Sequence, residues 1–320
     1  MDVPLIQTKN LKKYFNNKTG SLHAVDGVNI SINEGETLGV VGESGCGKST
    51  LGRVVLRLLE PTDGEVLFAG ESILSYNRKK MKDMRKQMQI IFQDPFASLN
   101  PRMTLSEIIA EPIKVCKVLT KKKDILERVF ELMKTVGLAE RFVNTYPHEL
   151  DGGRRQRIGV ARALALNPQF IVCDEPVSAL DVSIQAQILN LMMDLQDSLG
   201  LTYMFISHDL SVVKHISAHI AVMYLGQCVE MAATDQLFEN PSHPYTRALL
   251  DAIPIPSLKH RKEINVIQGE VTSPINPKPG CRFAPRCPQV SSDCLLPGLS
   301  LQEIEPDHFV ACTLYQEQER

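Results

Sequence analysis

Between Leu22 and Gly42 the apolar residues first alternate and then cluster: LHAVDGVNISI follows a period of two, and ETLGVVG is a short apolar run stopped by glycine. A period of two places apolar side chains on one face of a strand, and a short unbroken run suits a strand buried on both faces. In STLGRVVLRLL, from Ser49, the apolar residues return every three to four positions, which predicts a helix ended by Pro61 and the turn residues Thr62, Asp63 and Gly64. GEVLFAG predicts another strand, residues 78–86 a basic helix, and QIIFQ a strand after it. From about 105 to 166 the pattern is mostly helical, as in DILERVFELMKTVG. QFIVCDEP and LTYMFISHD then read as strands separated by the helix SIQAQILNLMMDLQDSLG. Strands alternating with helices predict an α/β domain with a parallel sheet covered on both sides. A helical insertion divides its two halves. After about Pro254 the proline-rich segments IPIPSLKH and SPINPKPG predict a boundary and an irregular tail.

Composition adds few constraints, mostly exclusions. The 320 residues suffice for about two domains. A net charge of −2 speaks against a broadly basic surface, so no nucleic-acid partner is expected. No apolar run approaches the roughly 20 residues of a membrane-spanning helix. The start, MDVPLIQTKN, lacks a basic stretch followed by an apolar core, so no secretion signal is expected. The eight cysteines are spread along a chain of intracellular type, which favours metal or redox use over a disulfide scaffold. The basic runs at 78–80 and 121–123 read as solvated helix faces.

The first chemical signal is Gly42-Glu43-Ser44-Gly45-Cys46-Gly47-Lys48-Ser49-Thr50, which fits G-x-x-x-x-G-K-[ST] between a strand and a helix. Glycines let successive N–H groups turn inward around an anion, and the helix adds its positive end. Gly42, Ser44, Gly45, Cys46, Gly47, Lys48, Ser49 and Thr50 are therefore candidate nucleotide-binding residues. Lys48 is expected on the β- and γ-phosphates and Ser49 on Mg²⁺. The second signal is Asp174-Glu175 at the end of an apolar strand. Asp174 is expected to hold Mg²⁺ and Glu175 to act as general base toward the attacking water.

Leu150-Asp151-Gly152-Gly153-Arg154 precedes the helix RQRIGVARAL; Ser178-Ala179-Leu180-Asp181 and His208 follow, and Gln93 ends QIIFQ. This ordered series, over roughly residues 5–255, resembles the nucleotide-binding subunits of ABC transporters. The resemblance implies a P-loop NTPase (RecA-like) core with an ABC-type antiparallel β subdomain and a helical subdomain at about 100–166. It implies a nucleotide-binding domain over 1–255 and a small irregular cysteine-rich C-terminal domain over 256–320. It places Gln93 in the loop that senses Mg²⁺ and water, His208 at the γ-phosphate and Asp181 at the partner subunit. Lys48, Gln93, Glu175 and His208 form the implied catalytic set, and Ser49, Gln93 and Asp174 the implied Mg²⁺ set. Tyr14, in LKKYF, resembles the aromatic residue that stacks on adenine; a strand-end core tyrosine is the alternative.

NPSHPYTRALLDAIP from Asn240 and GCRFAPRCP from Gly280, with VDGVNISINEGETLGVVGESGCGKSTLGR and FQDPFASLNPRMT, are similar to the ATPases of oligopeptide and dipeptide importers. The implied machine has two transmembrane permease subunits, an extracytoplasmic solute-binding protein and two ATPases at the cytoplasmic face of the membrane. A permease helix is expected near Gln93 and Phe96. Import of nickel or another small solute is the nearest alternative. A non-transport ABC ATPase would carry a long coiled-coil insertion or two ATPase domains in one chain. A P-loop kinase would lack the Gly-Gly signature and the trailing histidine.

The chain departs from its family at the signature loop, usually Leu-Ser-Gly-Gly-Gln. Asp151 and Arg154 stand in place of the serine and glutamine. Aspartate still caps a helix. Ionised, it cannot donate to phosphate, and two like charges about 4 Å apart cost on the order of 4 kcal/mol at an effective dielectric near 20. A heterodimer with a second, different ABC ATPase is therefore expected, with a tolerant homodimer as the alternative.

In the tail, Cys281, Cys287, Cys294 and Cys312 could together enclose a metal centre. Their wide spacing, with the resemblance, favours a [4Fe–4S] cluster; zinc and ordinary thiols are the alternatives. Cys46, near a helix N-terminus, is expected to have a lowered thiol pKa and to block nucleotide binding when alkylated. Cys116, Cys173 and Cys228 read as apolar fillers. His148 and His243 neighbour motifs, while His23, His215, His219, His260 and His308 show no chemical role.

Overall fold

The computed structural model describes residues 3–18, 20–253, 269 and 272–315, which fall in two compact units. The first takes residues up to 32, 37–74 and those from 207 onward; the second takes 33–36 and 75–206. In chain order the strands are β1 (Ile6–Asn17), β2 (Gly20–Val28), β3 (Ser31–Ile32), β4 (Thr37–Val41), β5 (Asp63–Phe68), β6 (Glu71–Ser72) and β7 (Met88–Ile91). They continue as β8 (Phe170–Asp174), β9 (Thr202–Ile206), β10 (His219–Tyr224), β11 (Gln227–Ala233), β12 (Gln302–Glu305) and β13 (His308–Val310).

In the first unit one sheet has the order β2-β1-β5-β6, with β3 also on β1. Its pairs are antiparallel, as the alternating pattern of LHAVDGVNISI requires. The register sets Tyr14 opposite His23, beside two shifts at Lys13. Such irregularities re-aim the side chains next to them. The 12 residues of β1 show no clear strand period, because its second half carries polar or exposed positions.

The other sheet of this unit runs β12-β13-β11-β10-β4. All five residues of β4 are buried, and it lies parallel to β10 with Val40 opposite Ala221. This is the buried strand that the run ETLGVVG predicts. The tail corrects one expectation. Its described residues do not form a separate irregular domain: they cluster with the first unit, and β13 pairs with β11, Val310 opposite Glu230. QEIE and HFV are too short to show a period among prolines. What fixes them is a distant contact, the fully buried His308 Nε2 at 2.8 Å from Glu230 Oε1. The boundary expected after Pro254 falls outside the described residues.

In the second unit β9, β8 and β7 are parallel neighbours, with Cys173 facing Phe205 on one side and Ile91 on the other. β8 and β9 are buried throughout, as strands covered on both faces must be. The helical insertion holds helices Leu105–Cys116, Lys122–Thr135 and Gly152–Leu164. The first starts at a capping box in which Thr104 and Glu107 satisfy each other's backbone N–H groups. Ile109, Leu132 and Ile158, buried to within 1% of completely, form its apolar centre. Each such side chain contributes about 1.5–3 kcal/mol of burial.

Candidate functional site

In the first unit the chain leaves β4, turns through residues 42–47 and enters helix Lys48–Val55. Gly42, Gly45 and Gly47 all have positive φ. Gly47, at +105°, admits no side chain: a Cβ there would lie 2.0 Å from the Ala24 carbonyl oxygen. Lys48 is 4% exposed, and its Nζ donates to the carbonyls of Gly42 (2.7 Å) and Glu43 (3.1 Å), so the ammonium sits across the loop. Ser49 and Thr50 occupy the first turn of the helix, and Ser44 lies at the loop's exposed edge. His208 follows Ser207, whose N–H donates to the Val40 carbonyl at 3.1 Å, two residues before Gly42. That bond ties the histidine's turn to the end of β4.

Cys46 corrects a prediction. It is 3% exposed, and burial pushes its thiol up, against the pull of Lys48. The helix N-terminus does not win, because the sulfur lies inside the loop out of water.

Tyr14 stacks on His23 with ring centres 3.8 Å apart and planes 16° apart. Its hydroxyl donates to Asp26, which also meets His23 Nδ1 at 3.1 Å and Arg282 Nη2. Burial, followed by the bond to Asp26, raises the tyrosine's pKa. Burial opposes ionisation of Asp26, but bonds from Tyr14 and His23 and the charge of Arg282 outweigh it and lower its pKa.

The second unit holds the other candidate groups. Asp174, 3% exposed, ends β8. Glu175 follows in left-handed backbone, φ 47°, with its N–H on the Ile206 carbonyl at 3.0 Å. A non-glycine residue there costs on the order of 1–2 kcal/mol, and the turn re-aims the carboxylate at the strand end. Gln93 Nε2 donates to Glu175 Oε2 at 3.0 Å, so these two predicted residues, 82 positions apart, are brought together. Asp151 caps helix Gly152–Leu164 by accepting from the Arg154 N–H at 2.8 Å, and its other oxygen pairs with the Arg154 guanidinium at 2.8 Å. Gly153 is packed too tightly for a side chain, since a Cβ would lie 2.6 Å from Ile184 Cγ2. Asp181 caps helix Val182–Leu199 through the Ile184 N–H at 3.0 Å. The hydrogen bond from Ser183 lowers its pKa first, and that N–H adds to it. Phe96 is exposed beneath the Arg155 guanidinium, 5.1 Å from its ring centre.

The metal expectation for the tail finds no geometric support. Cys281, Cys287, Cys294 and Cys312 are free thiols, and among the described residues no group of three or more His, Cys, Asp or Glu side chains is placed to hold a metal ion. Burial pushes Cys281 up to about 11 and raises Cys287 and Cys312. Only Cys294 is lowered: burial opposes the shift, and hydrogen bonds with Thr313 and Ser291 outweigh it.

The sequence reading did not find three contacts around these groups: Arg286 with Glu43, Arg282 with Asp26, and Tyr245 with the Glu43 N–H. The partners stand 202 to 256 positions apart, and no local pattern joins them.

The strand–loop–helix with its positive-φ glycines and buried Lys48, and the Gln93–Glu175 pair at a buried strand end, define a P-loop ATPase of the ABC type. The ABC transporter family pattern matches residues 25–178, and that of the oligopeptide/dipeptide transporter C-terminal region matches 229–294. The chain is 52% identical to the putative oligopeptide transport ATP-binding protein YkfD of Bacillus subtilis, over 99% of this chain and 97% of that protein. It is 50% identical to the oligopeptide transport ATP-binding protein OppF of Salmonella typhimurium, over 91% and 90%. Among solved structures it is similar to the bacterial ABC transporter cassette MJ0796, at 30% identity and TM-score 0.66, over 72% of this chain and 98% of that one. The cbiO1 subunit of an ABC transporter complex of Clostridium perfringens gives 27% and 0.66, over 75% and 92%. The chain belongs to the ATP-binding subunits of the oligopeptide/dipeptide branch of ABC transporters, and it is an ATPase.

Proposed function

We propose that this chain hydrolyses ATP to drive import of dipeptides and oligopeptides through two permease subunits, at the cytoplasmic face of the membrane. The observation that carries the reading is the join of two features in one chain: a complete phosphate loop with its Gln93–Glu175 pair, and a tail of the oligopeptide/dipeptide type. Among the described residues no helix is long and apolar enough to cross a membrane, so the permeases supply the path.

In this reading the loop's N–H groups and Lys48 hold the β- and γ-phosphates, and His208 meets the γ-phosphate. Tyr14 stacks on adenine. Glu175, held by Gln93, orients the attacking water and takes its proton. Ser49, Gln93 and Asp174 offer the oxygen donors that magnesium prefers. When bound, Mg²⁺ neutralises charge that develops on the β- and γ-oxygens.

The Asp151–Arg154 pair supports a second, different ATPase as partner. With its charge answered inside the loop, Asp151 offers no hydroxyl to a neighbour's nucleotide. Asp181 lies on the same interface in this reading. An extracytoplasmic solute-binding protein completes the importer. A [4Fe–4S] cluster on Cys281, Cys287, Cys294 and Cys312, with zinc as its alternative, remains a proposal carried by residue type and spacing. Iron content and visible absorption after anaerobic purification test it: stoichiometric iron supports it, and a colourless, metal-free chain ends it.

The functional test is uptake in vesicles carrying the permeases, both ATPases and the binding protein. ATP-dependent accumulation of a labelled tripeptide is expected. Accumulation of nickel with no peptide uptake would move the chain to the small-solute reading.

A further inference from the structure

Glu43 is the second residue of the phosphate loop, a position the loop's motif leaves open. Its backbone is fixed on both sides: its N–H donates to Tyr245 Oη at 2.8 Å, and its carbonyl accepts from Lys48 Nζ at 3.1 Å. Its carboxylate is held from the tail. Arg286 Nη1 and Nη2 donate to its two oxygens at 2.8 and 3.1 Å, a two-pronged contact across 243 positions. The arginine side chain is 7% exposed and Glu43 is 25% exposed. Arg286 is seated by the Tyr224 hydroxyl at 3.3 Å, while the neighbouring Phe283, 1% exposed, packs edge-on against Tyr224. This is a built, partly dry ion pair on the loop that receives a polyphosphate. A bidentate pair in such a setting is stronger and more directional than a pair on an open surface.

We propose that Arg286 is a positioning residue for ATP, which neutralises and turns aside the Glu43 carboxylate so that it does not oppose the triphosphate. The argument is electrostatic. The loop attracts the phosphates with N–H dipoles and one ammonium, and an unanswered carboxylate in the same turn works against both. The tail thereby takes part in nucleotide affinity through one side chain, without touching the reacting atoms. The inference rests on the ATP reading of the loop.

The test is a double-mutant cycle on the full chain, read by Mg-ATP competing with a fluorescent ATP analogue. Arg286→Gln is expected to raise the Kd for ATP about tenfold. In the assembled transporter it raises KM similarly and leaves kcat within about twofold. Glu43→Gln alone is expected to bind within about threefold of wild type. The double substitution returns to that level, because no carboxylate is left to answer. If Arg286→Gln does not fold, Arg286→Lys, which keeps the charge and loses the fork, is expected to weaken binding about threefold, again relieved by Glu43→Gln. An unchanged Kd in Arg286→Gln overturns the proposal, as does a double variant as weak as Arg286→Gln, since the arginine would then act only as tail structure. Wild-type chain that fails to bind Mg-ATP would instead overturn the ATP reading itself.

Discussion

Glu175 sits one residue past a buried strand, in left-handed backbone, with Gln93 on one oxygen. An acid fixed in this way orients a water better than one on a free tether. Glu175→Gln is expected to keep ATP affinity within about threefold and to cut turnover by 10²–10⁴, the usual contribution of a general base. Steady-state hydrolysis beside equilibrium ATP binding checks it. His243 makes a second residue-scale prediction. Burial lowers its pKa from 6.5 to about 4, and the nearby charge of Glu230 recovers only part of that loss. Between those values the unfolded chain takes a proton that the folded chain refuses. The stability His243 contributes is therefore complete above about pH 6.5 and is lost as pH falls toward 4. At pH 4.5 the loss is about 2–3 kcal/mol. Urea unfolding at pH 7 and pH 4.5 should show it, and His243→Asn, which keeps an acceptor for the Tyr245 N–H, should remove that part of the pH dependence.

At the scale of elements, Asp151 tests how far a departure from the family motif is structural. As the N-cap of helix Gly152–Leu164 it does the work of the usual serine. Asp151→Ser should leave unfolding free energy within about 0.5 kcal/mol, and Asp151→Ala should lose about 1 kcal/mol. Any change in ATPase rate on Asp151→Ser with Arg154→Gln then reports interface chemistry and not helix stability. The predicted elements that the structure confirms are those whose pattern is local. The runs in β4, β8 and β9 and the helix from Val182 declare themselves, because burial on both faces or on one stripe repeats within a single element. β12 and β13 were hidden, since three or four residues cannot display a period and their pairing depends on β11, far away in sequence. The phosphate loop and Asp174–Glu175 were legible for the same reason of locality. The thiol of Cys46 was misjudged because burial is a property of the fold.

At the scale of the whole molecule, the tail belongs to the ATP-binding cassette's first unit and is not an appendage. β13 lies on β11, and His308 answers the fully buried Glu230, which also accepts from the Ser242 and His243 N–H groups. Removing His308 leaves one buried hydrogen-bonding site of Glu230 unmatched, with the two N–H contacts remaining. His308→Ala is expected to cost about 2–4 kcal/mol in urea unfolding. A cost below about 0.5 kcal/mol would show the tail strand to be dispensable. The contact between Arg286 and Glu43 extends the same dependence from stability to nucleotide affinity. Such contacts, 78 and 243 positions apart, are invisible to any reading of neighbouring residues.

The central claim is that this chain's own phosphate loop holds ATP for hydrolysis by Glu175. Its most direct test is equilibrium binding of ATP, with and without Mg²⁺, to wild-type, Lys48→Ala and Glu175→Gln chains. Mg-dependent binding by wild type and Glu175→Gln, weakened at least a hundredfold in Lys48→Ala, is the predicted result. Binding that ignores both Mg²⁺ and Lys48 would contradict it.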